Sequence, residues 1–379
     1  MGGLAALTGY YGLRPPADLY AQTAGAGTSA PRDVIESSRV PSNEYDQTAK
    51  LCFNENPFGP PPSVLAAMTQ AFQYSNRYGY PDGDIHQVIA AHHGVRPGNI
   101  LLGAGSTEIL EGTATTFLTD HKKVIGVEPT FGTVYEFATG LSAGAVRLPL
   151  GPDHRVDIPA MIKAAKDNQN EVGFIYLCNP NNPTGVIVTK QEIKQLLEGI
   201  PSGMPVLIDE AYHHFVEDPA YTTSVPYVLE GRPVIIARTF SKIAALAGMR
   251  IGYAVAPEPI ISRMRQHIGS FHVSALAKWG AVAAIKDTEA QNQVKTKILA
   301  LRKKTTAELA SLGFKVVPSE ANFFMVDLRR PVMPVIHEFA RKQILVGRPF
   351  PPMLDYLRVS IGNEDEMNRF VAAFKQIVT

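Results

Sequence analysis

From about residue 50 onward the chain alternates two hydrophobic rhythms. Short unbroken apolar runs, VIGV at 124–127, GFIYL at 173–177, VLI at 206–208 and VIIA at 234–237, are each followed by polar or turn-forming residues. Runs this short and this uniformly apolar read as strands buried on both faces and mostly parallel. Between them, residues 108–118 and 190–200 space their apolar positions along one helix face. Such helices supply the crossovers that parallel pairing requires, so the pattern predicts an α/β chain around a mostly parallel central sheet.

The rhythm changes near Pro257 and Pro259. Residues 289–312 form a long amphipathic stretch, with Val294, Ile298, Leu301 and Leu312 close to one helix face. FKVV, FFMVDL and LRVSIG then read as strands around a helix near 334–342, and 366–377 as a closing helix. Three parts are predicted: an N-terminal arm over 1–50, a large domain over 51–260 whose first part packs with its neighbour, and a smaller α/β domain over 261–379. Within the arm, residues 4–13 are mildly apolar, Arg14 follows, and Ala24-Gly25-Ala26 offers the small residues of a cleavage site. No positive segment precedes that stretch, and it is too short to span a bilayer. It reads as a flexible arm in a cytoplasmic protein, or as the stump of an export signal in a periplasmic one. No internal repeat or low-complexity linker stands out.

Composition narrows the partners. Apolar residues make up 45% and charged residues 19% of 379, the latter below the usual quarter, consistent with surface committed to another subunit. Net charge is +1, without a basic block or acidic tail, which leaves neither nucleic acid nor an anionic membrane implied. A small molecule is the default partner. Cys52 and Cys178 are the only cysteines, which excludes a disulfide framework and a paired-cysteine zinc site.

The residues that carry chemistry lie just after the proposed strands, where open α/β sheets bind ligands. Gly103-Ala104-Gly105-Ser106-Thr107-Glu108 follows ILL and opens a helix, so backbone N–H groups and hydroxyls can cradle a phosphate. Read alone it is as well an ordinary strand-to-helix turn. Asn179-Pro180-Asn181-Asn182-Pro183-Thr184-Gly185 is certainly a turn, and its asparagines can also aim an amide at a ligand oxygen. Asp209-Glu210-Ala211-Tyr212 places carboxylates at a buried strand end, a costly position unless an ion pair or ligand satisfies them. Thr239, Ser241, Lys242 and Arg250 add hydroxyls, a guanidinium suited to phosphate, and an amine that becomes nucleophilic when a neighbouring cation lowers its pKa. His213 and His214 are adjacent and lack further ligands nearby in sequence, so they read as pocket-edge or structural residues and no metal site is expected. His92 and His93 read as solvated helix-end residues.

Together these groups suit one cofactor, pyridoxal 5′-phosphate. From LCFNENPFGPP at residue 51 to the end, the chain resembles the fold-type I pyridoxal-phosphate enzymes, class I/II aminotransferases of the histidinol-phosphate aminotransferase group. NPNNPTG, DEAY, TFSK with LAGMRIGY, and LRVSIG occur in the family's order. The resemblance implies that Lys242 bonds the cofactor aldehyde, that Asp209 partners the pyridine nitrogen, and that Asn182 and Tyr212 hold the phenolic oxygen. It implies a phosphate site of Gly105, Ser106, Thr107, Thr239, Ser241 and Arg250, completed by Tyr80 of the neighbouring subunit of a homodimer, with Tyr78 a weaker candidate. Phe131 matches the aromatic that stacks on the ring. Arg358 resembles the arginine that clamps the substrate carboxylate, and Arg348 and Asn322 complete the substrate-binding set.

The implied reaction is transfer of an amino group from an L-amino acid or histidinol phosphate to a 2-keto acid. Lys242 would move the proton, and ping-pong kinetics follow. The same cofactor set serves decarboxylases and oxidases of the subgroup, and a non-catalytic binding module is the other class of reading. Thr107-Glu108 stands where the family often has Asp-Glu, and His213-His214 where an acidic position often follows DEAY. Histidinol phosphate and an aromatic or other amino acid are therefore both open as donors.

Overall fold

The computed structural model describes residues 42–269 and 271–378; the sequence readings on residues 4–26 lie outside them. Among the described residues the strands are, in chain order, β1 (Ala49–Leu51), β2 (Ile100–Gly103), β3 (Lys123–Glu128), β4 (Ala145–Pro149), β5 (Val172–Cys178), β6 (Val206–Asp209), β7 (Val234–Thr239), β8 (Gly252–Val255), β9 (Val316–Val317), β10 (Phe323–Asp327), β11 (Ile344–Val346) and β12 (Tyr356–Ser360). Seven pair in the order β2, β8, β7, β6, β5, β3, β4. Only β8 runs against its neighbours; the other pairings are parallel. The four apolar runs fall inside β3, β5, β6 and β7, and every residue of β5, β6 and β7 is buried. β4 did not show in the apolar pattern because it is the edge strand, with alternate residues exposed.

Alternation along the strands assigns side chains to two layers. In β7, Ile235 and Ala237 join the cluster formed with helices Ser106–Phe117, Thr133–Gly140 and Glu258–Met264. Val234 and Ile236 face the other way, towards helices Pro62–Ala71, Ile85–His93, Ile158–Asp167, Lys190–Gly199 and Ala275–Lys286. The crossover helices start where their caps dictate. Thr189 Oγ1 accepts the Glu192 N–H while the Glu192 carboxylate accepts the Thr189 N–H, a reciprocal box that opens Lys190–Gly199.

The later part builds an antiparallel sheet in the order β12, β10, β9, and β11 takes β1 as a parallel partner. Phe339, Phe370 and Phe374 pack ring on ring where helices Val332–Arg341 and Glu364–Val378 meet. The long helix, Thr288–Ser311, buries Ile298, Arg302, Thr305 and Leu309. Its inward face thus includes two polar residues that hydrophobic spacing cannot reveal; Arg302 is kept there by donating to the Ala321 carbonyl at 2.7 Å. Among the described residues no helix is long and apolar enough to cross a membrane.

Close packing between β5 and the end of helix Ser106–Phe117 depends on Gly173, where an added Cβ would lie 2.1 Å from the Phe117 carbonyl oxygen. Gly173→Ala is expected to destabilise the protein by about 1–3 kcal/mol through overpacking. Gly140→Ala, whose Cβ would meet open space at a helix end, is expected to be neutral or to stabilise by up to about 1 kcal/mol. Urea unfolding of the two variants checks the contrast.

Candidate active site

Parallel pairing sets the carboxyl ends of β5, β6 and β7 side by side, Cys178 in register with Asp209 and Asp209 with Ala237. The asparagines of the turn after β5 divide their work. Asn179 exchanges two 2.9 Å hydrogen bonds with the Val188 backbone. Asn181 accepts from Thr130 Oγ1 at 2.7 Å and donates to the Pro129 carbonyl and to Thr184. With the turn locked by these two, Asn182 is left to face the site. It accepts from Arg358 Nη1 at 2.8 Å and donates to the Tyr212 hydroxyl at 3.4 Å.

Tyr212 is buried, and its hydroxyl also accepts from Asn54 Nδ2 at 3.0 Å. Two donors on the oxygen leave the phenol proton to be given to a ligand. Burial raises the pKa of that phenol, so the proton is retained. Asn54 sits in the left-handed region at φ 55 and is fixed by Ser360, whose hydroxyl accepts the Asn54 N–H at 2.8 Å and donates to Oδ1 at 2.7 Å. Asn322 supports the same segment, donating to the carbonyls of Asn54 and Glu55, while its buried Oδ1 has no protein partner among the described residues.

Lys242 follows β7 by way of Phe240 and Ser241, and is half-buried. Its amine donates to the Phe53 carbonyl at 3.0 Å and lies 5.6 Å from the centre of the Tyr212 ring. Desolvation first, then the Arg358 guanidinium, bring its pKa down to about 8. Asp209 is buried at 3% exposure, accepts the Ala211 N–H at 3.1 Å, and is pushed up to about 7, mainly by desolvation. An amine and a carboxyl that both titrate near neutrality in one buried site are suited to holding and moving protons.

The turn after β2 is built for close approach. At Gly105, with φ 82, a Cβ would stand 2.2 Å from Arg250 Nη2, and at Gly252 one would stand 2.5 Å from the Ser106 nitrogen. Arg250, itself at φ 53, donates to the carbonyls of Ala104 and Ala247. Ser106 and Thr107 open helix Ser106–Phe117 and are half-buried, and Thr239 and Ser241 are buried and linked by a 2.9 Å hydroxyl contact. A helix N-terminus, a cluster of hydroxyls and a guanidinium form an anion cradle. Glu108, next in the turn, accepts the Ala104 N–H and pairs with His272.

On the far side, Arg358 donates to the Cys52 carbonyl and lies over the rings of Phe323 and Phe350 at 5.6 and 4.7 Å. Arg348 lies over the same Phe350 ring at 4.3 Å. Phe131 is half-buried against the cluster that holds Tyr135 and Tyr176. Tyr80 is 76% exposed; Tyr78 is exposed too and meets Phe271 edge-on. The structure thus gathers Lys242, Tyr212, Asn182 and Arg358, sets Arg250 at the Gly105 turn, and leaves Tyr80 at the surface.

Residues 46–374 match the family described as aminotransferase class I and II. The chain belongs to that family. The aminotransferase is 36% identical over 336 residues to the histidinol-phosphate aminotransferase of Moorella thermoacetica, covering 87% of this chain and 85% of that protein. It is 33% identical over 357 residues to the aromatic amino acid aminotransferase of Cutibacterium acnes, covering 92% and 98%. Its structure superposes on that of histidinol-phosphate aminotransferase from Sinorhizobium meliloti in complex with pyridoxal-5′-phosphate, with a TM-score of 0.79, 26% identity, and coverage of 94% and 98%. The aminotransferase depends on pyridoxal 5′-phosphate, and its fold is that of the fold-type I enzymes. The residues present fit that group: an amine titrating near neutrality, a carboxyl, a phenol with a proton to give, and a cradle that a side chain on Gly105 would fill.

Asn54, Ser360, Phe323 and Phe350 escaped sequence reasoning about the site. Asn54 and Ser360 are 306 residues apart, and only the tertiary fold joins them. LCFNENPFGPP, with two asparagines before a proline, is the local signal that could have drawn attention to Asn54.

The raised pKa of Asp209 sets a pH dependence in the cofactor-free aminotransferase. The folded state binds this proton more tightly than the unfolded state, so stability falls as pH rises from about 4 to about 7, and above pH 7 the whole penalty is present. Asp209→Asn is expected to stabilise the cofactor-free protein above pH 7 by at most about 4 kcal/mol, the gain vanishing below about pH 4. Urea unfolding across pH reads this, and a pH-independent difference would contradict it.

Proposed function

We propose that Lys242 is the covalent anchor of pyridoxal phosphate and the proton carrier of the transamination, with the remaining site residues in the roles that follow. Bound there, the cofactor supplies an aldehyde that captures amino groups and a ring that withdraws electrons from the substrate. The observation that carries the reading is Lys242, an amine brought down to about 8 beside Tyr212, in a site with a buried acid. At neutral pH about a tenth of such an amine is free base, enough to act as nucleophile and then to take and return a proton. Asp209 holds a proton at the ring nitrogen. Tyr212 and Asn182 donate to the phenolic oxygen, Phe131 covers the ring, and Gly105, Ser106, Thr107, Thr239, Ser241 and Arg250 bind the phosphate.

Arg358 receives the anionic group of the substrate, with Arg348 beside it on Phe350 and Asn322 behind the segment of Asn54. Histidinol phosphate is the proposed donor, supported by the Moorella and Sinorhizobium relatives and by two guanidinium groups sharing one ring. An aromatic amino acid is the second reading, favoured by the Cutibacterium relative and by the Phe323 and Phe350 rings. The acceptor is a 2-keto acid. Phe72, Tyr78, Tyr80 and Phe271 all stand exposed, and this supports a homodimer in which Tyr80 reaches the partner's phosphate site. The division into an arm of 1–50, a large unit of 51–260 and a smaller unit of 261–379 belongs to the same proposal; the separate sheet of β9, β10 and β12 supports it. A cytoplasmic location is a further part of the proposal, and the free thiols of Cys52 and Cys178 agree with it.

Purified protein given pyridoxal phosphate is expected to show a visible band that borohydride traps on Lys242. Lys242→Ala should lose that adduct and lower turnover by at least about 10⁴-fold; a variant that retains either overturns the assignment. Keto-acid formation from a panel containing histidinol phosphate, phenylalanine, tyrosine and other amino acids decides the donor.

Arg358→Lys keeps the charge but loses the planar fork. It is expected to lower kcat/KM for the preferred donor about 10²-fold while the cofactor remains bound. Unchanged kinetics would remove Arg358 from the substrate site.

A further inference from the structure

The site described above lies on one face of the strand ends, and the reverse face carries an ion pair that none of its chemistry uses. Asp209 and Ala237 are register partners, so the next residues, Glu210 and Arg238, stand beside each other on the opposite face. Both are buried, with side chains 0% and 3% exposed. Arg238 donates to Glu210 Oε2 from Nε at 3.0 Å and from Nη2 at 2.6 Å. Thr223 Oγ1 and the Ser224 N–H complete the coordination of that carboxylate at 2.9 and 2.7 Å. Arg238 Nη1 meets His213 Nε2, and burial together with the guanidinium lowers the His213 pKa far enough to keep the ring neutral as an acceptor. Tyr253, the register partner of Arg238 on β8, stands on the same side.

A buried ion pair is seldom the most stabilising way to fill a core, and the rest of this face of β6 and β7 is aliphatic. What the pair does is local. It joins the backbone directly after Asp209 to the backbone directly before Thr239, and so spans the two strand ends from which the cofactor groups project. We propose that Arg238 and Glu210, with His213 as a neutral third member, form a positioning clamp that fixes Asp209 against the site and offsets the negative charge next to it. This rests on the reading of Asp209 as the acid of the site. His213, otherwise without a function, acquires one as the lone-pair partner of Arg238.

The groups that act on Asp209 are Lys242, Glu210, Tyr212, and Cys178 and Tyr176 of β5. Of these, Glu210 adds negative charge on the adjoining residue, and Arg238 is the cation bonded to it. Neutralising Glu210 removes a charge that raises the Asp209 pKa, whereas removing Arg238 leaves that charge without its cation, so the two changes are expected to shift Asp209 in opposite directions.

The test follows the carboxyl carbon of Asp209 by NMR in cofactor-free, full-length protein labelled with ¹³C-aspartate, the signal being assigned by its loss in Asp209→Asn. Arg238→Met should raise the Asp209 midpoint by about one pH unit and Glu210→Gln should lower it by about as much. The double variant should return it close to wild type. Equal midpoints in every folded variant, or shifts of one sign in both single variants, would overturn the clamp. Should Arg238→Met fail to fold, Glu210→Gln and the double variant still decide. A parallel measurement of pyridoxal phosphate uptake keeps the two readings apart: wild type that forms no adduct at Lys242 overturns the assignment of the site, whereas the clamp is judged by the Asp209 titration, which involves no cofactor.

Discussion

The parallel pairing of β5, β6 and β7 is the constraint on which the site depends. Because all three strands run the same way, their carboxyl ends arrive at one edge, and the turns that follow must leave the sheet in the same place. The NPNNPTG turn, the Asp209 carboxyl and the approach to Lys242 are three exits from one edge. Antiparallel β8 brings Arg250 to that edge from the opposite direction, and β2 delivers the Gly105 turn beside it. The chemistry is therefore assembled by topology, and local sequence has only to supply the right residue at each exit.

Desolvation is the second determinant. It moves Asp209 up and Lys242 down, the directions that bring an acid and a base towards the same pH. Arg358 adds to the effect on the lysine, so a residue read as a substrate clamp also lowers the pKa of the Lys242 amine. Glu210, bonded to Arg238, follows Asp209 directly in the chain, and its charge adds to the upward shift of that carboxyl.

Much of this was legible in the sequence, for a definable reason. Strands buried on both faces show as continuous apolar runs, and NPNNPTG, DEAY and TFSK mark where β5, β6 and β7 end. What was not legible depends on contacts between distant segments. Edge strand β4 lacks the apolar run; the buried face of Thr288–Ser311 contains Arg302 and Thr305; and the partnership of Asn54 with Ser360 has no local pattern. Arg238 sat in plain view beside Thr239, but only the register with Glu210 shows what it holds. Tyr80 is a different case, since its predicted role belongs to an assembly rather than to one chain.

One short piece of backbone acquires a meaning from what it touches. The carbonyl of Cys52 accepts from Arg358, the carbonyl of Phe53 accepts from Lys242, and the side chain of Asn54 donates to Tyr212. Three consecutive residues thus bond the groups read as anion clamp, amine and phenol, so one short segment couples all three, and a shift of its backbone would be felt at every one of them together.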